Sequence, residues 1–165
     1  MDETKFGKYF LRYEGEQYFP LGQILQRFDN NSVKGSHFYF LHWIMPDLDI
    51  DFGVGHPPHT HDSAEILFHI GTNPDDPTDL GAEIEFFMGE EMERHVVNKT
   101  TAIFIPPNVI HAPWKPLRID RPFLFLEVNQ ELTHTQKFYP EVLPEELRKM
   151  VDWDQWENKG YEVKK

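Results

Sequence analysis

His59-Thr60-His61-Asp62-Ser63-Ala64-Glu65 sets two imidazoles two residues apart and a carboxylate four residues beyond the second. In an extended chain, residues of one parity share a face, so all three side chains project together. A helix would scatter them, because helical ligand pairs sit three or four residues apart, as in H-E-x-x-H. Gly53, Gly55, Pro57 and Pro58 just upstream also oppose a helix. Neutral imidazole nitrogen and carboxylate oxygen form a donor set for a divalent cation such as zinc, iron, manganese, nickel or cobalt.

From His59 an extended run is predicted as far as Ile70, where Gly71-Thr72-Asn73-Pro74-Asp75-Asp76-Pro77 makes a surface loop. Without a bulge, His59, His61, Ser63, Glu65, Leu67 and His69 share one face and Ile66, Phe68 and Ile70 the other. Apolar residues on both faces call for a sheet covered on its far side, as in a sandwich or barrel.

Upstream, Tyr9-Phe10-Leu11 reads as a short strand. Leu21, Ile24, Leu25 and Phe28, following Pro20, show the i, i+3, i+4, i+7 spacing of a short helix. His37 to Met45 is a strand that Pro46 ends. Asp47, Asp49 and Asp51 alternate in the next loop, but without the glycine and distal glutamate of a calcium loop they read as a solvated turn. Downstream, strands are predicted over Ala82 to Met88, Met92 to Val97, Thr101 to Ile105, Val109 to Trp114 and Arg121 to Val128, separated by turn residues. Short strands at even spacing indicate an all-β sandwich or barrel rather than α/β. The tail differs: Pro144 and two acids followed by Arg148 and Lys149 predict a short helix near 144–151, with Trp153 and Trp156 available to dock on the barrel.

At 165 residues, 39% of them hydrophobic and 14 of them Phe, the chain is expected to form a single domain with a thickly packed β interior. The absence of cysteine excludes thiol nucleophiles, iron–sulfur clusters and disulfide staples, so any metal is held by nitrogen and oxygen. A net charge of −12, from 28 acidic against 16 basic residues, disfavours nucleic acid and anionic membrane as partners. The sequence from Met1 to Phe6 has no apolar run of a signal peptide and no segment is long and apolar enough to span a bilayer, so a soluble, cytoplasmic protein is expected.

Gly53, His59, His61, Glu65 and Gly71 resemble the first motif of the cupin family, a glycine, an H-x-H pair, a glutamate and a second glycine. Pro106, Asn108 and His111 resemble the second, in which proline, a turn glycine and histidine lie on a later hairpin. Motif 1 runs over about 53–71 and motif 2 over about 100–115. An N-terminal extension, 1–35, and a C-terminal helical tail, 140–165, would pack on the barrel. The resemblance implies a double-stranded β-helix, or jelly-roll barrel, with short peripheral helices near 21–28 and 144–151. It also implies one divalent transition metal per chain (Fe, Mn, Zn, Ni or Co), held by His59, His61, Glu65 and His111. Three positions depart from the pattern: Thr100 and Asn108 replace glycines and Lys115 replaces a final asparagine. Asparagine is the non-glycine residue best able to take a left-handed turn, so Asn108 is a mild change.

Four protein ligands leave coordination positions open on an octahedral ion. The function expected is that of a metal-dependent enzyme acting on a small oxygenated substrate, a carboxylate, enediol or phenol. The reaction would be dioxygenation, or redox-neutral isomerisation, decarboxylation or elimination. The alternative is a non-catalytic cupin that binds a metal or small ligand. His69, on the same predicted face as Glu65, is a candidate base or substrate contact. His56 reads as a solvated loop histidine, and Arg94, Lys115, Arg118 and Arg121 are candidates to neutralise an acidic substrate. Edge strands and surplus aromatics predict a homodimer.

Overall fold

The computed structural model describes residues 4–12, 18–19, 22–46 and 54–156. Gly53 and the Asp47–Asp51 run lie outside them, as do Pro20 and Leu21.

Alternation of buried and half-exposed residues along β3 (Phe38–Ile44), β5 (Glu65–Gly71) and β10 (Phe123–Asn129) is what the apolar run in each predicts for a one-sided sheet. β10 lies between β3 and β5, antiparallel to both. With β1 (Tyr18–Phe19), β2 (Gly22–Phe28) and β8 (Thr101–Ile105) they form a six-stranded sheet in the order β1-β2-β3-β10-β5-β8. The second sheet has the order β11-β4-β9-β6-β7. It is built from β4 (His59–Thr60), β6 (Asp79–Met88), β7 (Glu93–Lys99), β9 (His111–Ile119) and β11 (Lys137–Phe138). The inward faces meet in a core that includes Ile44, Leu80, Ile84, Phe86, Ile105 and Phe123, each at most 1% exposed. A fully buried residue of this size contributes about 1.5–3 kcal/mol by leaving water.

Residues 22–28 are a strand, not the helix that their spacing suggests. Ile24 pairs with His42 and Gln26 with Leu41, so Leu25 is the extra residue of a bulge. The bulge shifts the two-residue alternation by one, which imitates helical spacing, while the open edge of β3 supplies backbone partners that a short helix lacks. Tyr9-Phe10-Leu11 is likewise not a strand; Gly7–Tyr9 is a 3-10 turn, and the edge of β2 is taken by β1 instead. The N-terminal region therefore adds two strands to a sheet.

The extended run from His59 is broken. β4 and β5 belong to different sheets, and the chain crosses between them at Asp62-Ser63-Ala64. Glu65, Leu67 and His69 do share the buried face, as alternation requires. The remaining predicted strands are present, with β6, β7 and β9 longer than expected and β10 starting two residues later. The tail holds a four-residue helix, Glu145–Arg148, flanked by 3-10 turns at Pro140–Val142 and Trp153–Gln155. Trp156 packs on Phe138 of the barrel at 5.5 Å between ring centroids. Among the described residues no helix is long and apolar enough to cross a membrane.

Gly71 of the first motif and Thr100, which stands at a glycine position of the second, have a joint structural reason. Gly71 N–H donates to Thr100 Oγ1 at 3.0 Å, and that hydroxyl donates to the Pro77 carbonyl at 2.7 Å, tying the loop after β5 to the β7–β8 corner. A Cβ on Gly71 would stand 2.1 Å from the Asp79 carbonyl oxygen, so the two backbones approach as only glycine permits. Asn108 takes the left-handed turn its motif position requires, at φ 62°. Gly71→Ala should lower unfolding stability by about 2 kcal/mol, because the clash is with backbone rather than a movable side chain; urea denaturation monitored by tryptophan fluorescence checks this.

Candidate metal centre

Register, rather than sequence proximity, assembles the cluster. His59 of β4 lies directly opposite His111 of β9, and Glu65 of β5 directly opposite Asn129 of β10. One ligand candidate from each motif thus sits on neighbouring strands of one sheet, while the carboxylate comes from the other. His59, His61 and His111 bring ligand nitrogens within 4.8 Å of one another, and all three are buried. Glu65 Oε1 is 3.4 Å from His61 Nε2, and Oε2 is 3.0 Å from His111 Nε2. All four residues that the motif resemblance singles out are therefore together.

Each imidazole is oriented from behind by a backbone carbonyl. His59 Nδ1 donates to Pro57 O at 2.8 Å, His111 Nδ1 to Val109 O at 3.0 Å, and His61 Nδ1 to Thr135 O. A carbonyl only accepts, so the proton is fixed on Nδ1 and each Nε2 is left to face the cluster. The Nε2 atoms of His61 and His111 are buried without a hydrogen-bond partner. Leaving buried imidazole nitrogens unsatisfied is costly, and a cation between them and Glu65 would satisfy both, so the residues fit a metal. Asn129 Nδ2 donates to Glu65 Oε1 at 2.6 Å and orients the carboxylate.

The electrostatics divide the cluster. Burial opposes charge on Glu65, but His111 and His61 outweigh it and hold its carboxyl far below the usual range. Burial likewise works against a charged His61, and Glu65 together with the Thr135 carbonyl overcomes it, raising its pKa to about 9. His59 goes the other way, pushed well down by burial and by its neighbours His56, His111 and His61.

Beside the cluster lies a cavity of about 50 Å³, lined by His56, His59, Glu65, His111 and Glu127 against apolar walls that include Phe86 and Trp114. His56 is not a solvated loop residue. Its ring lies 4.2 Å from that of His59 and 4.8 Å from Trp156, and Gln136 Nε2 donates to its Nε2 at 2.8 Å. Glu127, half-buried in the cavity wall, is pushed up to about 8 by burial and then by the charge of Glu65. Sequence reasoning missed Glu127 and Asn129. Their signal is legible afterwards: both share the parity of buried Phe123 and Phe125, and a carboxylate at an inward position of an apolar strand is anomalous.

His69 does not line this cavity. It is fully buried, accepts a hydrogen bond from Trp114 Nε1 at 2.9 Å, and is depressed to about 4 by burial. It bears on the cavity through Trp114. Arg94 pairs with Glu85, Arg118 with Asp120, and Arg121 with Asp79; with Lys115, all lie outside the cavity lining. His61 also stands near Glu131 and His134, but the Glu131 carboxylate is occupied by the amide and hydroxyl of Thr135. That grouping holds the strap formed by residues 131–138 against the barrel.

His42, His56 and His69 are all held neutral, with burial depressing them to about 4, 3 and 4. A depressed folded-state pKa contributes stability that is complete above the unfolded value near 6.5 and is lost as pH falls toward the folded value. The melting temperature should therefore drop between pH 6.5 and 4. In His69→Gln, which removes one titrating group and keeps an acceptor for Trp114, calorimetry should record a shallower drop.

No family model and no curated protein matches the sequence. Among solved structures, an oxalate oxidase in complex with the substrate analogue glycolate superposes with a TM-score of 0.52 at 16% identity, over 85% of this chain and 68% of that one. An oxalate decarboxylase of Lactobacillus farciminis in a formate complex gives 0.49 at 16% identity over 77% of this chain. This chain spans about a third of its length, 34%. KdgF from Halomonas sp. gives 0.41 at 15% identity, over 72% of this chain and 88% of that one. At such identities likeness speaks to fold and not to activity. Two antiparallel sheets closed around an H-x-H…E…H cluster, together with the oxalate oxidase superposition, give this chain the fold of a single-domain cupin.

Proposed function

We propose that the chain is a metal-dependent enzyme in which His59, His61, Glu65 and His111 hold one divalent transition metal and the adjoining cavity takes a small oxygenated substrate. The observation that carries this reading is the pair of buried Nε2 atoms without partners, on His61 and His111, converging with His59 and Glu65 beside a cavity. Structural metal sites close their coordination with protein ligands, whereas a three-histidine, one-carboxylate set keeps positions for other oxygen ligands. When bound, such an ion supplies a Lewis acid that stabilises negative charge on a ligand oxygen.

The chain's own residues then divide the work. Carbonyls behind His59, His61 and His111 hold the imidazoles in one tautomer, and Asn129 fixes the carboxylate. Phe86, Leu67, Trp114 and Phe125 exclude water, which strengthens the interactions inside. Glu127, whose carboxyl is pushed toward its protonated form by burial and then by the charge of Glu65, offers a hydrogen bond to a substrate oxygen. The cavity, at about 50 Å³, favours a molecule of a few heavy atoms, a short carboxylate or enediol before a phenol. The glycolate bound by the oxalate oxidase is of that size and supports the reading. The chemistry is either oxygen-dependent cleavage or a redox-neutral decarboxylation, isomerisation or elimination.

Protein purified without a chelating column should contain close to one transition metal per chain by elemental analysis. His61→Ala and His111→Ala should each lose it while keeping the far-UV spectrum, and undiminished metal in either breaks the ligand assignment. A reconstituted screen of short carboxylates and enediols, with and without oxygen, separates oxygenase from redox-neutral enzyme; metal and substrate binding without turnover would instead establish a non-catalytic cupin. Glu127→Gln should keep the metal and lower kcat by about a hundredfold, the scale of a lost acid–base group. Equal turnover in Glu127→Gln would remove that residue from the mechanism.

A further inference from the structure

A buried polar pair stands outside the metal cluster. Trp114 Nε1 donates to His69 Nε2 at 2.9 Å, and both residues are buried. An indole N–H only donates, so Nε2 of His69 carries the lone pair and its proton sits on Nδ1. That Nδ1 is itself buried without a hydrogen-bond partner. An apolar pair at these two positions would avoid the unsatisfied donor, since two apolar groups of matching shape can replace a buried hydrogen bond almost without loss. Burial keeps the imidazole neutral, depressed to about 4, so the acceptor persists at neutral pH. What this histidine supplies, and an aliphatic side chain does not, is a fixed direction for the indole.

Two strands bring the pair to the cavity. Along β5, Glu65, Leu67 and His69 face inward; Glu65 and Leu67 line the cavity and His69 does not. Along β9, His111 and Trp114 have opposite parity, yet both are buried and both line the cavity. A bulge reconciles them. Met88 lies opposite His111 and Phe86 opposite Trp114, so three steps on β9 match two on β6. Bulges re-aim the side chains beyond them, and this one turns Trp114 to the side of His111. The indole thus stands between His69 and the cavity, with the Phe125 ring 5.3 Å from it and 5.0 Å from the His69 ring. Because β5 and β9 belong to different sheets, the hydrogen bond also spans the barrel.

In a cavity of about 50 Å³ the tilt of one indole decides which molecules fit. On the reading of that cavity as a substrate site, we propose that His69 is a positioning residue that, by holding Trp114 through this hydrogen bond, sets the longest acid the site accepts. Without the bond the indole turns beside Phe125, and the wall yields to a longer chain. The substrate class is then narrowed to short carboxylates, discriminated from their own homologues by length.

Glycolate and α-hydroxybutyrate, which is longer by two methylenes, are titrated by calorimetry into protein loaded with manganese. The ratio of their Kd values, α-hydroxybutyrate over glycolate, should fall about tenfold in His69→Leu, roughly the worth of two accommodated methylenes. It should keep the parent value in His69→Gln, which retains an acceptor. Trp114→Phe should lower the ratio as much, and adding His69→Leu to it should change nothing further. In metal-free protein, the Trp114 indole proton should exchange at least about tenfold faster in His69→Leu than in the parent or His69→Gln. The double variant leaves no polar atom of the pair unmatched, and it carries the test if His69→Leu alone fails to fold. An unchanged ratio in His69→Leu and in the double variant overturns the proposal, as does a ratio that falls equally in His69→Gln. Parent protein that holds manganese but binds neither acid removes the substrate reading of the cavity and this proposal with it, a result distinct from acid binding with unaltered selectivity.

Discussion

A carboxylate sealed inside an apolar barrel is the constraint to which much of this structure answers. Isolated, Glu65 would carry a desolvation cost of several kcal/mol. It is kept ionised because β5 sets it opposite Asn129, while His61, just past the end of β4, and His111 of β9 come to its two oxygens. Those strands belong to different sheets, so the cluster holds the sheets in one relation as much as the apolar core does. The crossing at Asp62-Ser63-Ala64 is what allows one short motif to feed both.

The same cluster is chemically asymmetric. His61 is biased toward its charged form and His59 toward its neutral form, although they stand two residues apart. The difference follows from neighbours: His61 faces the carboxylate, whereas His59 lies among His56 and His111. Glu127 extends the asymmetry across the cavity, since burial, and then the ionised carboxyl beside it, push it toward its protonated form.

Much of the site was legible in the sequence. The shared face of the H-x-H pair and Glu65 follows from parity, His111 enters through the resemblance to the second cupin motif, and the structure brings the four together. What remained hidden depends on registers that pair distant segments. Asn129 and Glu127 become site residues through the pairing of β10 with β5, and His56 through the return of Gln136 and Trp156. The strand at 22–28 was misread for a local reason, because one bulged residue gives a strand the spacing of a helix. Expecting one uninterrupted strand from His59 failed because the even spacing of His59, His61 and Glu65 is the same whether or not the chain changes sheets between them, while the burial pattern, with Thr60 and Ala64 buried, loses its alternation there.

The strap after β10 binds the cluster from behind. Thr135 lends its carbonyl to His61 and its hydroxyl to the amide of Asp62, Tyr139 N–H bonds to Pro58 O, and Phe138 lies opposite His59. The hydrogen bond that orients a ligand imidazole therefore belongs to a segment more than seventy residues away in sequence. Occupancy of the site and closure of the strap are then reciprocally linked: whatever binds His61 in this tautomer tightens the strap, and whatever loosens the strap weakens binding by the same free energy. The C-terminal segment is in this sense a thermodynamic reporter of the barrel's interior, readable at the surface without contact with the ligand.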